Sequence, residues 1–231
     1  RRCGKDQTIP HVQKSDQTKT GEKDILPVDN EKDSGRWTKT NTGILYRKRF
    51  YHFRNEQIHW DVVSALYRTK DKRGEERMME VSLYIEVSSK RIKPGKASFC
   101  YVLEYISPAG NTYTKSEIGC MEASGKRLVL SAVIRALGHL KPGCGVVLHT
   151  DLRYLESALM LGWLQEWKTD GWTRSDGKEI KNRDLWEKIE QQTKIHNLQV
   201  KYTCKSPYTA WMQNEMKKAD LEIGQYKEIK G

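Results

Sequence analysis

The sequence predicts an α/β fold, a mixed five-stranded sheet flanked by helices, with a disordered N-terminal tail. Residues Val81 to Ser88 alternate, with apolar side chains at Val81, Leu83, Ile85 and Val87, as a half-buried strand requires. Two turn signals, Pro94-Gly95 and Pro108-Ala109-Gly110, separate this strand from two further extended runs, which implies an antiparallel meander. A helical apolar stretch then leads to the uninterrupted run Val146-Val147-Leu148, which reads as a buried strand.

Taken in chain order, residues 1–35 are polar and lysine-rich, broken by Gly and Pro, and carry isolated apolar residues only. Such a segment buries too little to offset its ordering entropy and is expected to be disordered. Residues 36–79 form an accessory segment and linker. Within it, Ile44-Leu45-Tyr46 and Phe50-Tyr51-His52-Phe53 flank Arg47-Lys48-Arg49, followed by an apolar run to Tyr67 and a charged stretch from Lys70 to Arg77. Runs this short fit two strands, or a strand and a helix. The basic and aromatic interleaving suits either a grip on nucleic acid or an element docked on the main domain.

The main domain is expected over 80–222. Its strands are Val81–Ser88, Ala97–Ile106 and Asn111–Ile118. Ser124 stands at a helix N-cap position before a helix from Leu128 to Leu140, closed by Lys141-Pro142-Gly143. A buried strand ending at Asp151 follows, then a helix over Leu152–Trp167, a polar loop, a helix over Asp184–His196, a strand over Leu198–Cys204 and a last helix from Pro207. Residues 223–231 are set apart as a C-terminal tail.

Composition limits the functional classes. No apolar run approaches the length that spans a bilayer, and residues 1–35 hold no signal-peptide core, so a cytoplasmic protein is expected. The sequence opens on Arg1 rather than Met, which leaves its upstream end undetermined. Five scattered cysteines show neither zinc nor redox spacing, and reduced thiols follow. The net charge of +11 favours polyanionic partners such as nucleic acid.

Three antiparallel strands, a crossing helix and a fourth strand put the first and fourth strands side by side. Glu86 on the first and Asp151 at the end of the fourth then converge near the sheet centre. Paired acids at strand ends suit divalent-metal chemistry at phosphorus, although acids in such places are commonly just solvated.

The words around these acids resemble the type 1 ribonuclease H family. Leu140-Lys141-Pro142-Gly143-Cys144-Gly145-Val146-Val147-Leu148-His149-Thr150-Asp151 is similar to the family's fourth strand, whose Thr-Asp carries a metal-binding aspartate. Gly162-Trp163-Leu164-Gln165-Glu166-Trp167-Lys168-Thr169-Asp170-Gly171-Trp172, continuing through Lys181-Asn182-Arg183-Asp184-Leu185-Trp186, resembles its substrate-gripping handle. The resemblance covers about residues 80–220. It implies a ribonuclease H-like fold, and an activity in which two Mg²⁺ held by four acidic residues cleave the RNA strand of an RNA–DNA hybrid.

Carried over residue by residue, the resemblance implies a site with two of its four acids. Glu86 stands at the first position, one methylene longer than Asp, and Asp151 is unchanged at the third. Val129 occupies the second, and Asn214 the fourth, where an amide oxygen brings no charge. Mg²⁺ needs several negative oxygen ligands and dehydrates reluctantly, so two carboxylates fall short of a two-ion site. Glu122, Glu215 and His149 are the substitutes the sequence offers. Nucleic-acid contacts are expected from Ser124 at a helix N-terminus, from Lys126, Arg127 and Arg153, and from the handle residues Trp163, Trp167, Lys168, Trp172 and Lys181. The handle tryptophans equally suit plain packing.

The expected function is binding of an RNA–DNA hybrid or related duplex, with hydrolysis weak or lost. The alternatives are an active divergent ribonuclease H using Mg²⁺ or Mn²⁺, or a protein-interaction scaffold. Salt-sensitive binding without metal-dependent cutting marks the first.

Overall fold

The structure, a computed structural model, describes residues 38–39, 45–49, 69–70 and 76–230 apart from Pro142. The tail reading for 1–35 lies outside the described residues. Strands β1 (Thr38–Lys39), β2 (Leu45–Arg49), β5 (Glu80–Val87), β6 (Gly95–Ile106), β7 (Thr112–Ala123), β8 (Gly145–Thr150) and β9 (Asn197–Tyr202) form one sheet in the order β1-β2-β7-β6-β5-β8-β9. The short strands β3 (Thr69–Lys70) and β4 (Glu76–Arg77) pair with each other. The helices among the described residues are α1 (Gly125–Leu137), α2 (Arg153–Met160), α3 (Trp163–Thr169), α4 (Arg183–Thr193) and α5 (Thr209–Lys230).

The five expected strands are the sheet's core, β7-β6-β5-β8-β9. β5, β6 and β7 are antiparallel, and β8 and β9 continue the sheet in parallel. The accessory segment extends this core: β2 pairs antiparallel with β7 from Leu45↔Cys120 to Arg49↔Ser116, and β1 lies outside it. The first of its short runs takes a strand, β2, as either possibility has it; the runs from Phe50 to Tyr67 lie outside the described residues.

Period-two alternation divides β5 between two cores. Val81 and Leu83 are fully buried beneath α1, in a cluster with Leu128, Leu130, Val133, Leu148 and Trp186. Tyr84 faces the other way and packs with Cys100, Val102 and Ile118 under Tyr208, Met212 and Met216 of α5. Each such large apolar side chain contributes roughly 1.5–3 kcal/mol by leaving water. Helices thus cover both faces, and the sheet edge where β5 and β8 end stays accessible to the loops.

Several boundaries differ from expectation, each for a local reason. α1 starts at Gly125, directly after Ser124, and stops at Leu137 before Gly138. The expected helix over Leu152–Trp167 is two helices, because Gly162 takes a φ of +81° between them, a left-handed conformation natural to glycine. α4 ends at Thr193, short of His196. The last helix runs to Lys230, through most of the stretch set apart as a C-terminal tail. Among the described residues no helix is long and apolar enough to cross a membrane.

Candidate functional site

β5 and β8 are parallel and in register through Tyr84↔His149, whose rings stack with centroids 4.5 Å apart. Two residues further along each chain, on the same face, come Glu86 and Asp151. Neighbouring strands lie about 4.8 Å apart, so the register brings these acids together at the C-terminal ends of the parallel pair. Register thus puts the two acids at the ends of neighbouring strands, as strand order led one to expect. Glu86 is the penultimate residue of β5, and its Oε1 accepts a 2.8 Å hydrogen bond from the Thr209 hydroxyl at the start of α5. Asp151 is ion-paired with the ammonium of Lys90, which the loop after β5 delivers.

The other two positions contribute no charge. Val129 is 6% exposed and belongs to the apolar core beneath the sheet. Asn214 is exposed on α5. It lies five residues beyond Thr209, about 140° around a helix that turns about 100° per residue, so it does not share the face on which Thr209 meets Glu86.

The substitutes have surroundings of their own. Glu215 is 3% exposed and accepts a 2.8 Å hydrogen bond from Lys218. Glu122 is exposed near the end of β7, opposite Lys96. His149 lies against Tyr84 and is 3.3 Å from the Thr203 hydroxyl through Nδ1; burial first, and then the charge of Lys201, push its pKa below the usual imidazole value. Among the described residues no group of three or more His, Cys, Asp or Glu side chains could hold a metal ion. Two carboxylates, one already neutralised by an ammonium, do not fit a pair of divalent ions.

The residues expected to touch nucleic acid separate into two sets. Lys126, Trp163, Trp167 and Lys181 line one open cavity of about 480 Å³, together with Tyr154 and Arg174. Lys126 Nζ sits 4.3 Å from the centre of the Tyr154 ring, and Tyr154, Trp163 and Trp167 pack against one another with centroids 5.9–6.4 Å apart. Basic groups over half-buried aromatic faces suit stacked bases and phosphates.

The remaining residues have structural duties. Arg127 makes a two-pronged ion pair with Asp184, at 2.9 and 2.6 Å, bracing α1 against α4. Lys168 is held by Glu190 at 2.7 Å. Arg153 lies over the Tyr202 ring, 4.1 Å from its centre. Trp172 is 8% exposed with a φ of +63°, so its ring is packing rather than a free stacking face. Ser124 is 7% exposed and makes no side-chain cap; at the next residue the Gly125 N–H donates to the Arg91 carbonyl. The expected anion site at this helix N-terminus is thus partly filled by the protein's own backbone.

Lys90, Thr209, Tyr154 and Arg174 are absent from the sequence-derived set. Lys90 carries a visible signal, since Lys90, Arg91 and Lys93 cluster directly after the strand that bears Glu86. Thr209 carries none, because its value lies in where α5 begins.

A family model described as RNase H matches residues 78–220. The Ribonuclease H of Prosthecochloris aestuarii is 45% identical over 75 residues, covering 32% of this chain and 51% of that protein. This chain therefore spans about half the length of that relative. The Ribonuclease H of Caldicellulosiruptor saccharolyticus is 31% identical over 122 residues, covering 52% of this chain and 80% of that protein. Among solved structures, the fold is similar to that of LC9-RNase H1, described as a type 1 RNase H with the type 2 active-site motif. The TM-score is 0.51 at 22% identity, over 63% of this chain and 72% of that one.

Proposed function

This chain belongs to the RNase H family, and from that premise we propose that it binds RNA–DNA hybrid or a related duplex, with hydrolysis weak or lost. The observation that carries the reading is the state of the acid pair. Asp151 is neutralised by Lys90, Glu86 accepts from Thr209, and Val129 is sealed in the core. Such a set brings too little negative charge to hold two divalent ions, while the cavity bounded by Lys126, Trp163, Trp167 and Lys181 offers ammonium groups and aromatic faces suited to a nucleic acid. The net charge of +11 adds long-range attraction for a polyanion. The described cysteines, Cys100, Cys120, Cys144 and Cys204, are free thiols, which suits action in the reducing cytoplasm.

The test places hybrid binding and hybrid cleavage side by side for the natural chain and for Asp151→Asn. Binding that weakens steeply with salt, without metal-dependent cutting by the natural chain, is the expected result. Metal-dependent cutting by the natural chain that Asp151→Asn abolishes rules the reading out.

One observation favours a second reading. Glu86 and Asp151 reach the same face at adjacent strand ends, as an active divergent ribonuclease H using Mg²⁺ or Mn²⁺ would require. Metal-dependent cutting of the RNA strand, abolished in Asp151→Asn, would establish it.

A further inference from the structure

The acid pair has a cation of its own. Lys90 lies in the loop between β5 and β6, and its ammonium is ion-paired with Asp151. The ion pair joins the loop after β5, which follows Glu86, to the acid at the end of β8.

The loop that carries Lys90 is fixed from two sides. At its start, the Ser88 N–H donates to the Ser98 carbonyl at 2.8 Å, and the Ser98 N–H donates back to the Ser88 hydroxyl at 2.8 Å. Past Lys90, the Arg91 carbonyl accepts the Gly125 N–H at 2.8 Å. A Cβ at Gly125 would lie 2.6 Å from the Lys90 Cα, so the loop backbone rests directly on the first turn of α1. The Lys90 side chain is 67% exposed, yet the backbone from which it extends is held by both the sheet and a helix.

We propose that Lys90 is a tethered counter-cation of the Glu86–Asp151 pair, which in the nucleic-acid-free protein keeps divalent ions from binding there. The inference rests on reading these two acids as the family's site. A divalent ion arriving at Asp151 meets a positive charge already in contact with the carboxylate. Either it displaces the ammonium or it binds a pair whose net charge has fallen from −2 to −1. Both lower its affinity, because hard cations are held by the summed negative charge of their oxygen ligands.

The experiment titrates Mn²⁺ alone into the whole chain, without nucleic acid, and follows binding by calorimetry and by the free-ion paramagnetic signal. Lys90→Gln and Lys90→Met are both used, with thermal denaturation verifying that each is folded. The expected result is saturable binding about two- to fivefold tighter in both neutral variants than in the natural chain. Lys90→Arg should stay like the natural chain, and the gain should vanish in Lys90→Gln/Asp151→Asn. Equal Mn²⁺ affinity in the natural chain and the neutral variants would overturn the proposal, as would a gain that survives Asp151→Asn. Hybrid binding is measured separately, so a failure of the nucleic-acid reading is distinguishable from a failure of this one.

Discussion

A methyl group on Gly125 would stand 2.6 Å from the Cα of Lys90 and 2.8 Å from the Ser89 carbonyl oxygen, so helix α1 and the loop after β5 touch at a point with no room for a side chain. The obstacle is backbone, which cannot swing aside as a flexible side chain would. Gly125→Ala must therefore move the loop or the helix, and overpacking of this kind costs roughly 1–3 kcal/mol. Urea denaturation of the variant should show a midpoint lowered accordingly. An unchanged midpoint would mean that the loop is free to shift.

This contact also marks where the sequence stops being legible. The alternation of Val81, Leu83 and Ile85, the two turn signals and the buried run at Val146 identify β5 to β8 because each depends on neighbours in the chain. Convergence of Glu86 and Asp151 follows from strand order alone. The Lys90–Asp151 pair spans 61 residues and depends on how closely α1 approaches a loop, which no local pattern encodes. Trp172 illustrates the same limit. Its spacing matches the handle, but its left-handed backbone and burial arise from the turn that closes the handle on itself. Strand β2 is ambiguous for another reason, since it completes an edge formed by β7, some 70 residues later.

The handle tryptophans should divide by role. Trp163 and Trp167 border the open cavity, and base–aromatic stacking is worth about 1–3 kcal/mol per base, so alanine at either should weaken hybrid binding roughly 5- to 100-fold and leave the fold intact. Trp186 is fully buried, and its replacement by alanine should cost about 3–5 kcal/mol of stability. Anisotropy binding curves paired with thermal melts separate the two. Equal effects on binding and stability at all three positions would refute the division.

Glu117 is 1% exposed and receives Arg135 Nε at 2.6 Å and the Tyr101 hydroxyl at 2.9 Å, with His139 Nε2 also at 2.9 Å. Burial alone would raise its pKa; the hydrogen bonds from His139 and Arg135, the charge of Arg135 and the bond from Tyr101 outweigh it and hold the carboxyl below its ordinary value of 4.5. Stability from this group is therefore present above pH 4.5 and lost as pH falls through the lower folded-state value. Glu117→Gln should cost roughly 1.5–3 kcal/mol at neutral pH and flatten the acid limb of the stability curve. An acid limb identical to that of the natural chain would contradict this.

Asp184 holds Arg127 with both carboxylate oxygens, which keeps that guanidinium from phosphates. The side chains are 35% and 55% exposed for Arg127 and Asp184, so the pair is worth at most about 1 kcal/mol of stability. Asp184→Asn should thus leave the melting temperature nearly unchanged while strengthening hybrid binding about 2- to 5-fold and steepening its salt dependence. Weaker binding would show that Asp184 positions a contact rather than withholding one.

The proposal that this member of the RNase H family grips nucleic acid while cutting weakly or not at all can be tested in one assay. The most direct measurement incubates one preparation of the natural chain with an end-labelled RNA–DNA hybrid in Mg²⁺, at protein concentrations that saturate binding, and follows complex formation and RNA length in the same samples. The predicted result is a fully bound hybrid whose RNA strand stays intact over the time course. RNA cleavage under those conditions, abolished by Asp151→Asn, would contradict it.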